Sequence, residues 1–505
     1  MVKADFAVLW KTRGSCRAES FVILPVLNCL PSSHTGCFSF TVLLQVQNLQ
    51  MVTEKIVPTR ECGEAHKRLV VNSALLSLID PVRGAPTKSL LDGHPDDDFL
   101  KCHQLKERFL DSFALICSTS GCGKETASAV CMEQNQASET ILRVARNHGL
   151  SNQDRNGLER VLQILVATAN GEKLSMQAET EALEEVVDLD KNRILSLVQK
   201  LEKGGIQRVF QLAISRLFGG DCHEEILEDP CFGRWIKTCP FTGTHLSSSG
   251  SSQLFSLVKW ASQARWVYPK HLQILLAFGP TSTPSWMETF HKLARYWAAI
   301  KSMIKFAMKQ PAILASIHIR DVEAPQQQTF SLFQEQTPLR KALKKLVKTD
   351  YAVTMAKLAQ RWETDDVEAT LRRACRLTLT LHAEMQLVDF YERNPALVPQ
   401  LRLMGTSKKA CYLCHEFLLR HPLRIRVSAC HQKVYPTWMP PSSRDIPGVA
   451  RKKLFWSFSK HIEHVTVREL RTGLAAAKRP RNKDSTAGPS LTVTATVPTR
   501  SWGGK

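Results

Sequence analysis

Apolar residues recur at helical spacing over much of the chain, most clearly between residues 150 and 375. One stripe covers 183–201 and a second covers 286–304, each with apolar positions three and four residues apart. That spacing places side chains on one face of an α-helix, the face that packs against a core. A third helical region is predicted at about 339–375. The pattern therefore predicts a large, all-helical segment over 150–375.

Shorter patterns on both sides of this segment predict strands. An apolar stripe at 105–116 precedes two candidate strands at 126–132 and 140–145, which indicates a helix followed by a hairpin. Leucine alternates with threonine at 377–381, and 401–405 is a further candidate strand. Each of these two strands is followed by a predicted helix, and two helix starts after neighbouring strands would direct their first turns at a common point. The expected fold class is α/β with a large helical insertion.

The two ends of the chain lack this periodicity. Residues 81–98 are rich in Pro, Gly and Asp, which is typical of a linker. Beyond about 477 the chain turns polar and basic, a composition that does not bury enough apolar surface to fold. We therefore predict a poorly ordered N-terminal region and linker over 1–98 and a disordered basic tail over 477–505.

Composition and charge narrow the range of partners. The hydrophobic fraction of 43% in 505 residues is ordinary for a globular protein, and the length favours more than one packed region. The 67 Lys and Arg against 47 Asp and Glu give a formal charge of +20. This charge favours phosphate-bearing partners such as nucleic acid, although an even spread over solvated faces explains it equally well.

Cysteine content and hydropathy indicate the cellular compartment in which the protein is expected. Fifteen cysteines in so long a chain are too dilute for a disulfide scaffold and fit reduced thiols with a few metal ligands. No apolar run approaches the roughly 20 residues that a membrane span needs. We expect an intracellular protein, cytoplasmic or nuclear, with no membrane partner.

His382, Glu384, Cys411 and Cys414 form the strongest chemical pattern in the chain. His382 and Glu384 fall on the first turn of one predicted helix, and the two cysteines open a second helix on the same side of it. A helix start carries unpaired amides and a positive partial charge, which favours thiolate over thiol. One imidazole and two thiolates supply three ligands of a tetrahedral Zn²⁺ site and leave one corner for water.

Glu384 then has a role without being a ligand. Bound zinc lowers the pKa of water to about 7, which makes hydroxide available at neutral pH. The activated water attacks the amino-bearing carbon of a nucleobase, while Glu384 passes protons from that water to the ring nitrogen and the departing ammonia. The order and spacing of the four residues match the deaminase signature. The sequence therefore predicts a zinc-dependent hydrolytic deaminase.

The sequence around these residues resembles a known family. The similar runs are HAEMQL at 382–387, TSKKACYLC at 406–414 and YPTW at 435–438. They are similar to a fungal family of predicted nucleic-acid or nucleotide deaminases with the cytidine-deaminase-like fold, over about 376–441. One departure is Ala410, because most deaminases have proline directly before the paired cysteines.

The resemblance implies an architecture and a ligand set. It implies a three-layer core with a helix, a hairpin, then helix, strand, helix and strand. Residues 99–149 would supply the first helix and hairpin, 150–375 would be the insertion, and 376–476 would be the zinc-binding part. Zinc would be held by His382, Cys411 and Cys414, with Glu384 as the proton shuttle.

Three further residues are candidates for substrate contact. Deaminases often place a polar contact residue after the second strand, which suggests Asn147, although a turn cap beside Gly149 is the simpler alternative. Tyr435 and Trp438 are candidates for stacking on a base, with core packing as the equal alternative. The expected substrate contains a nucleobase, either as a nucleotide or within single-stranded nucleic acid.

Other interpretations of the cysteines and histidines stay open. A second metal cluster could form at Cys222, His223, Cys231 and Cys239, although their spacing matches no familiar site. A fourth ligand would close the zinc shell and make the site purely structural. The candidates for that ligand are His415, His421, Cys430 and His431. The chain would then be a catalytically inactive deaminase-like zinc protein that serves as an interaction or nucleic-acid-binding module.

Overall fold

The computed structural model describes residues 64–97, 100–123, 125–134, 139–219, 229–242, 250–276, 284–332, 334–441 and 449–474. Residues 1–63 and the predicted disordered tail at 477–505 lie outside these ranges. In the described part of the chain, no helix is both long enough and apolar enough to cross a membrane.

The secondary structure is mixed and mostly helical. The strands are β1 (Ser128–Gln134), β2 (Thr140–Arg146), β3 (Ile317–Asp321), β4 (Gln328–Phe330), β5 (Leu377–Leu379), β6 (Leu403–Thr406) and β7 (Arg426–Val427). The helices are α1 (Glu64–Ile79), α2 (Cys102–Ile116), α3 (Asn152–Ala169), α4 (Ser175–Leu189), α5 (Lys191–Lys203), α6 (Ile206–Phe218), α7 (Pro230–Lys237), α8 (Ser251–Trp266), α9 (Pro269–Leu275), α10 (Ser285–Lys309), α11 (Pro311–Leu314), α12 (Pro338–Leu346), α13 (Tyr351–Trp362), α14 (Val367–Ala374), α15 (Ala383–Arg393), α16 (Tyr412–Arg420) and α17 (Val449–Thr472).

A five-stranded mixed sheet lies at the centre, in the order β3-β2-β1-β6-β7. β1 pairs antiparallel with both β2 and β6, whereas the β2–β3 and β6–β7 pairs are parallel. Alternate residues of a strand point to opposite faces of a sheet. Val130 and Met132 accordingly join the core with α2, while Ala129 and Cys131 join the core with α15. Helices on both faces give a layered α/β arrangement, which confirms the predicted fold class.

The segment between β2 and β5 is mainly helical. Its longest helix, α10, packs against α2, α4, α5 and α8. The apolar stripe at 183–201 is divided between α4 and α5 at Asp190, and its apolar side chains are at most 2% exposed. The segment also contributes β3, which extends the central sheet beside β2. All the described residues belong to one compact unit, so the predicted divisions at 149 and 375 stay predictions.

The strand before His382 lies outside the central sheet. β5 pairs antiparallel with β4 in a separate two-stranded sheet, so the prediction that two neighbouring strands aim the ligand-bearing helices is wrong in this detail. Thr380 N instead donates to the Thr437 carbonyl at 2.8 Å, and Met439 N donates to the Thr380 carbonyl at 3.1 Å. The backbone leading to His382 is therefore held by the segment that contains Trp438.

Helix α1 lies inside the stretch that the sequence predicted to be poorly ordered. It packs against α17, with Leu69, Val70 and Leu75 at most 1% exposed. The segment at 81–87 is also fixed, by backbone hydrogen bonds to residues 430–434. For residues 64–97 the prediction is wrong. Apolar residues surround α1 almost evenly, so no one-sided stripe marked it as a helix.

Gly405 in β6 is expected to tolerate no side chain. A Cβ there would collide with the carbonyl group of Leu110 and would lie 2.5 Å from the backbone nitrogen of Asp111. The backbone of α2 is packed between β6 and α10 and has no room to move. We expect Gly405→Ala to lower the free energy of unfolding by about 3 kcal/mol or more, measured by urea denaturation.

Gly233 in α7 supplies the matched control, because no atom of the described part of the chain lies within 4 Å of a Cβ added there. Gly233→Ala should leave stability unchanged or raise it slightly. Equal stability of Gly405→Ala and the native chain would contradict the close packing of α2 on β6.

Candidate metal centre

His382 is the N-cap residue of α15, with an extended backbone at φ −63° and ψ 152°. The turn that carries it is fixed by side chains from two directions. The Ala383 amide donates to Asn147 Oδ1 at 2.9 Å. Gln386 Nε2 donates to the Leu381 carbonyl at 3.0 Å and to the Arg146 carbonyl at 3.1 Å. These hydrogen bonds therefore hold the backbone at His382 against the end of β2 as well as against its own helix.

The two cysteines lie at the start of α16. Cys411 is its N-cap, and its Sγ accepts a hydrogen bond from the Cys414 amide at 3.3 Å. On the preceding residue, the Ala410 amide donates to the Ala429 carbonyl at 2.9 Å and its carbonyl accepts from His431 N at 3.0 Å. Both backbone polar groups of Ala410 are thus hydrogen-bonded, which holds the loop before the helix in place.

The three ligand atoms converge on one point. His382 Nδ1 lies 3.6 Å from Cys411 Sγ and 3.4 Å from Cys414 Sγ. Tetrahedral zinc with bonds of about 2.0 Å to nitrogen and about 2.3 Å to sulfur requires a separation of about 3.5 Å. The donor set and its spacing therefore fit Zn²⁺. Across the described ranges, this is the group of three or more His, Cys, Asp or Glu side chains close enough to share a metal ion.

The four side chains that the sequence offered as a possible fourth ligand have other partners. His421 Nε2 lies 3.1 Å from Glu392 Oε1. Cys430 Sγ and His431 Nδ1 each accept a hydrogen bond from the backbone amide two residues later. His415 Nδ1 is nearest the carboxylate that follows it in the chain. Among the described residues no fourth His, Cys, Asp or Glu side chain joins the group, so the geometry does not support a closed structural site. Of the predicted second cluster, Cys222 and His223 lie outside the described residues.

Burial and mutual contact set the protonation of the three ligands. Burial lowers the pKa of His382, but the charge and hydrogen bond of Cys411, together with the charge of Glu384, raise that pKa overall. Burial raises the pKa of Cys411, yet hydrogen bonding from Cys414 and the charge of His382 hold it well below the usual range. The pKa of Cys414 is raised well above its usual range, by burial first and by the Cys411 thiolate second. A metal ion bound by these three side chains would favour the thiolate form of both cysteines.

Glu384 lies on the first turn of α15 and is 9% exposed. Burial raises the pKa of its carboxyl group, which also interacts electrostatically with His382 and Cys411. It is not among the side chains close enough to act as ligands. A carboxyl group beside the donor set, but outside it, suits proton transfer near neutral pH.

Trp438 belongs to the core. It is 1% exposed, and its Nε1 donates to Cys414 Sγ at 3.3 Å. Its ring packs against Phe417 and Phe458, with centroids 5.7 and 5.6 Å away. Because neither face of the indole is available to a base, the structure supports the core interpretation over the stacking one. Trp438 supports a candidate ligand instead.

Tyr435 and Asn147 lie at the edge of the centre. The half-buried Tyr435 ring lies 6.2 Å from His382 and 5.3 Å from His431, measured between centroids. Asn147 holds the turn that carries His382 and Glu384, through its bond to Ala383. Contact of either residue with a substrate stays a prediction.

The sequence interpretation missed Gln386, which anchors the same turn. Its side chain is 1% exposed and bridges the ends of two elements. A polar residue at a position that helical periodicity assigns to the buried face was the signal that could have found it.

We expect Trp438→Phe to weaken zinc retention. Phenylalanine keeps the aromatic packing but deletes the N–H donor to Cys414 Sγ. Loss of a partner that orients a metal ligand typically weakens metal binding by about 10- to 100-fold. Competition with a chromophoric chelator measures the change.

Trp362→Phe is the control, because the Trp362 indole nitrogen has no hydrogen-bond partner among the described residues. This variant should bind zinc as the native chain does. A Trp438→Phe protein with unchanged zinc affinity would show that the contact to the sulfur is incidental.

Residues 381–442 match the family model described as OTT_1508_deam:-like deaminase. This segment is deaminase-like. The match includes His382, Glu384, Cys411 and Cys414, so it supports the deaminase part of the sequence prediction, while the fungal origin and the cytidine-deaminase-like superfamily stay predictions. No curated protein matches the chain, and no solved structure does.

Proposed function

We propose that this chain is a zinc-dependent hydrolytic deaminase that converts an amino group of a nucleobase to a carbonyl. The observation that carries the proposal is the convergence of His382 Nδ1 with the sulfurs of Cys411 and Cys414 at 3.6 and 3.4 Å, with Glu384 beside them. The deaminase match over the same segment supports it.

His382, Cys411 and Cys414 would hold the metal. One imidazole and two thiolates are a donor set of zinc deaminases, whereas structural zinc sites have four protein ligands. Zinc in such a site supplies hydroxide at neutral pH, because it lowers the pKa of water.

Glu384 would move the protons that the reaction requires. Water adds its oxygen to the ring carbon, the carbon–nitrogen bond breaks, and ammonia leaves. Glu384 accepts the two protons of the water in turn and delivers one to the ring nitrogen and one to the departing amino group. Burial raises the pKa of the Glu384 carboxyl group, which is the direction that favours proton transfer by a carboxyl group.

The substrate would be a nucleobase in a nucleotide or in single-stranded nucleic acid. The formal charge of +20 favours phosphate-bearing molecules. Tyr435 is the candidate for contact with the base, because its half-buried ring stands beside His382. Asn147 is the candidate for a polar contact, because it lies at the turn that carries both His382 and Glu384.

The test combines metal analysis with an ammonia-release screen on the full chain. Purified protein should contain about one zinc ion per chain, as one site of this ligand set predicts. The screen covers nucleosides, nucleotides and single-stranded oligonucleotides, and at least one class should release ammonia in a zinc-dependent manner. Full zinc occupancy with no ammonia from any class would contradict catalysis and favour the inactive, deaminase-like binding module.

A further inference from the structure

Helix α17 turns one side towards solvent, and that side is basic. Three cations and one histidine recur at intervals of seven, four and seven positions, which places them on the same side of a helix. They are Lys453, Lys460, His464 and Arg471. Lys460 is half-buried and the other three are exposed. At 1.5 Å per residue the line is about 27 Å long. We call it the α17 basic face.

The two carboxylates of α17 leave much of this charge uncompensated. Glu463 accepts a hydrogen bond from Lys460 at 2.8 Å. Glu469 is 7% exposed and therefore does not reach the solvent side of the helix. The exposed ends of the line, Lys453 and Arg471, form no ion pair within the described part of the chain. The α17 basic face thus offers charged donors to a partner in solution.

An exposed tryptophan stands among these cations. Trp456 is 53% exposed, although so large an apolar ring is usually mostly buried. It follows Lys453 by three residues and precedes Lys460 by four, so the three side chains are neighbours on the helix surface. The ring centroid lies 5.9 Å from Lys460 Nζ and 6.0 Å from Arg68 Cζ on α1. Cations at this distance attract an aromatic ring and limit its motion.

We propose that the α17 basic face binds single-stranded nucleic acid. A row of cations neutralises the phosphates of a strand, and an exposed aromatic ring stacks on an unpaired base. The opposite side of the helix is packed in the core, where Phe458 contacts Trp438, so α17 is not free to enter the groove of a duplex. Contacts with the backbone and with base faces predict binding without sequence preference.

The proposal goes beyond the proposed reaction. The α17 basic face lies on the side of the helix away from Trp438, the residue that contacts Cys414. Binding there requires neither zinc nor Glu384. The strand would be held at a place separate from the candidate metal centre.

An anionic membrane is the other partner that a basic helix with a tryptophan suggests. A helix that lies in a membrane interface inserts a continuous apolar face. The apolar residues Phe458, Ile462 and Val465 of α17 are at most 6% exposed, because they pack in the core. The helix has no continuous apolar face left to insert, which favours nucleic acid over a membrane.

The test is fluorescence anisotropy of a labelled single-stranded oligonucleotide of mixed sequence, titrated with the zinc-loaded full chain at several salt concentrations. The native chain should bind saturably, with a binding constant that falls steeply as salt rises. The double variant Lys453→Gln/Arg471→Gln should make the log–log salt slope shallower by about 1.4, since each phosphate contact on a single strand contributes about 0.7. Lys191→Gln/Lys203→Gln removes two exposed cations from α5 and should leave the slope unchanged.

Trp456→Leu separates stacking from charge. It should weaken binding about fivefold or more and leave the salt slope as in the native chain, because a stacked base is lost while the phosphate contacts remain. Trp266→Leu is the control, since Trp266 also lies beside a cation, Arg265, but in the insertion. It should bind as the native chain does. Melting temperatures show whether each variant remains folded.

Two further arms define the partner and keep the result apart from catalysis. A duplex of the same sequence should bind without any effect of Trp456→Leu, because its bases are already stacked. Glu384→Gln should bind the single strand as the native chain does. Oligonucleotide binding by a chain that releases no ammonia would therefore support this proposal while contradicting the proposed reaction.

Four results would overturn the proposal. The first is no binding by the native chain. The second is an equal change of slope in Lys191→Gln/Lys203→Gln, which would show general attraction to a basic protein. The third is unchanged affinity in Trp456→Leu. The fourth is binding to vesicles that contain phosphatidylserine, weakened by the α17 variants, at least as tight as binding to the oligonucleotide.

Discussion

Glu384→Gln is expected to abolish ammonia release while zinc stays bound. Glutamine has nearly the shape of glutamate, so the side chain should still pack in its buried position, 9% exposed. Its amide neither accepts nor returns a proton. Removal of a general acid–base group typically slows a reaction by about 10²- to 10⁴-fold, and here the same group serves several proton transfers.

Three measurements on one preparation check this result: the rate of ammonia release, the zinc content and the melting temperature. Glu392→Gln makes the same chemical change farther along α15 and should retain activity. Full activity of Glu384→Gln would exclude Glu384 as the proton shuttle. Loss of activity together with zinc would instead assign Glu384 to holding the metal.

Cys411→Ser is expected to remove both zinc and the stability that zinc provides. Serine is a good N-cap residue, so it should keep the hydrogen bond that the Cys411 sulfur now accepts from the Cys414 amide at 3.3 Å. The thiolate donor is lost, while the start of α16 is preserved. Zinc that binds only the folded chain stabilises it by about 4 kcal/mol when its free concentration is about 1,000 times the dissociation constant.

The measurement is the melting temperature with and without a chelator. The native chain should melt several degrees lower when zinc is removed, and Cys411→Ser should show no such difference. Cys430→Ser is the control, because Cys430 is a buried cysteine outside the ligand group. Stoichiometric zinc in Cys411→Ser would mean that another residue completes the site, and the proposed ligand set would be wrong.

Much of the site could be predicted because its parts are local. The apolar spacing after His382 and after Cys411 predicts a helix at each point, and the structure begins α15 and α16 there. The hairpin of β1 and β2 was also predicted, since both strands are apolar runs of ordinary length. These features depend on neighbours within a few residues, which the sequence displays directly.

Predictions that required knowledge of distant partners were less successful. The alternation at 377–381 predicts a strand, but nothing in it specifies β4 as the partner rather than β6. The sequence left Trp438 open between base stacking and core packing, and the contact of its indole with Cys414 Sγ favours the core. Helix α1 was not predicted, because it is buried against α17, which begins more than 350 residues later.

The sequence by itself determined the ligand types, their order and their positions at two helix starts, because caps and apolar periodicity act over one or two turns. Only the tertiary structure decided that His382 Nδ1 lies 3.6 and 3.4 Å from the two cysteine sulfurs and that Glu384 stands beside them as a non-ligand. The physical reason is that contacts between distant segments arise from the packing of whole helices and sheets, which no local pattern encodes.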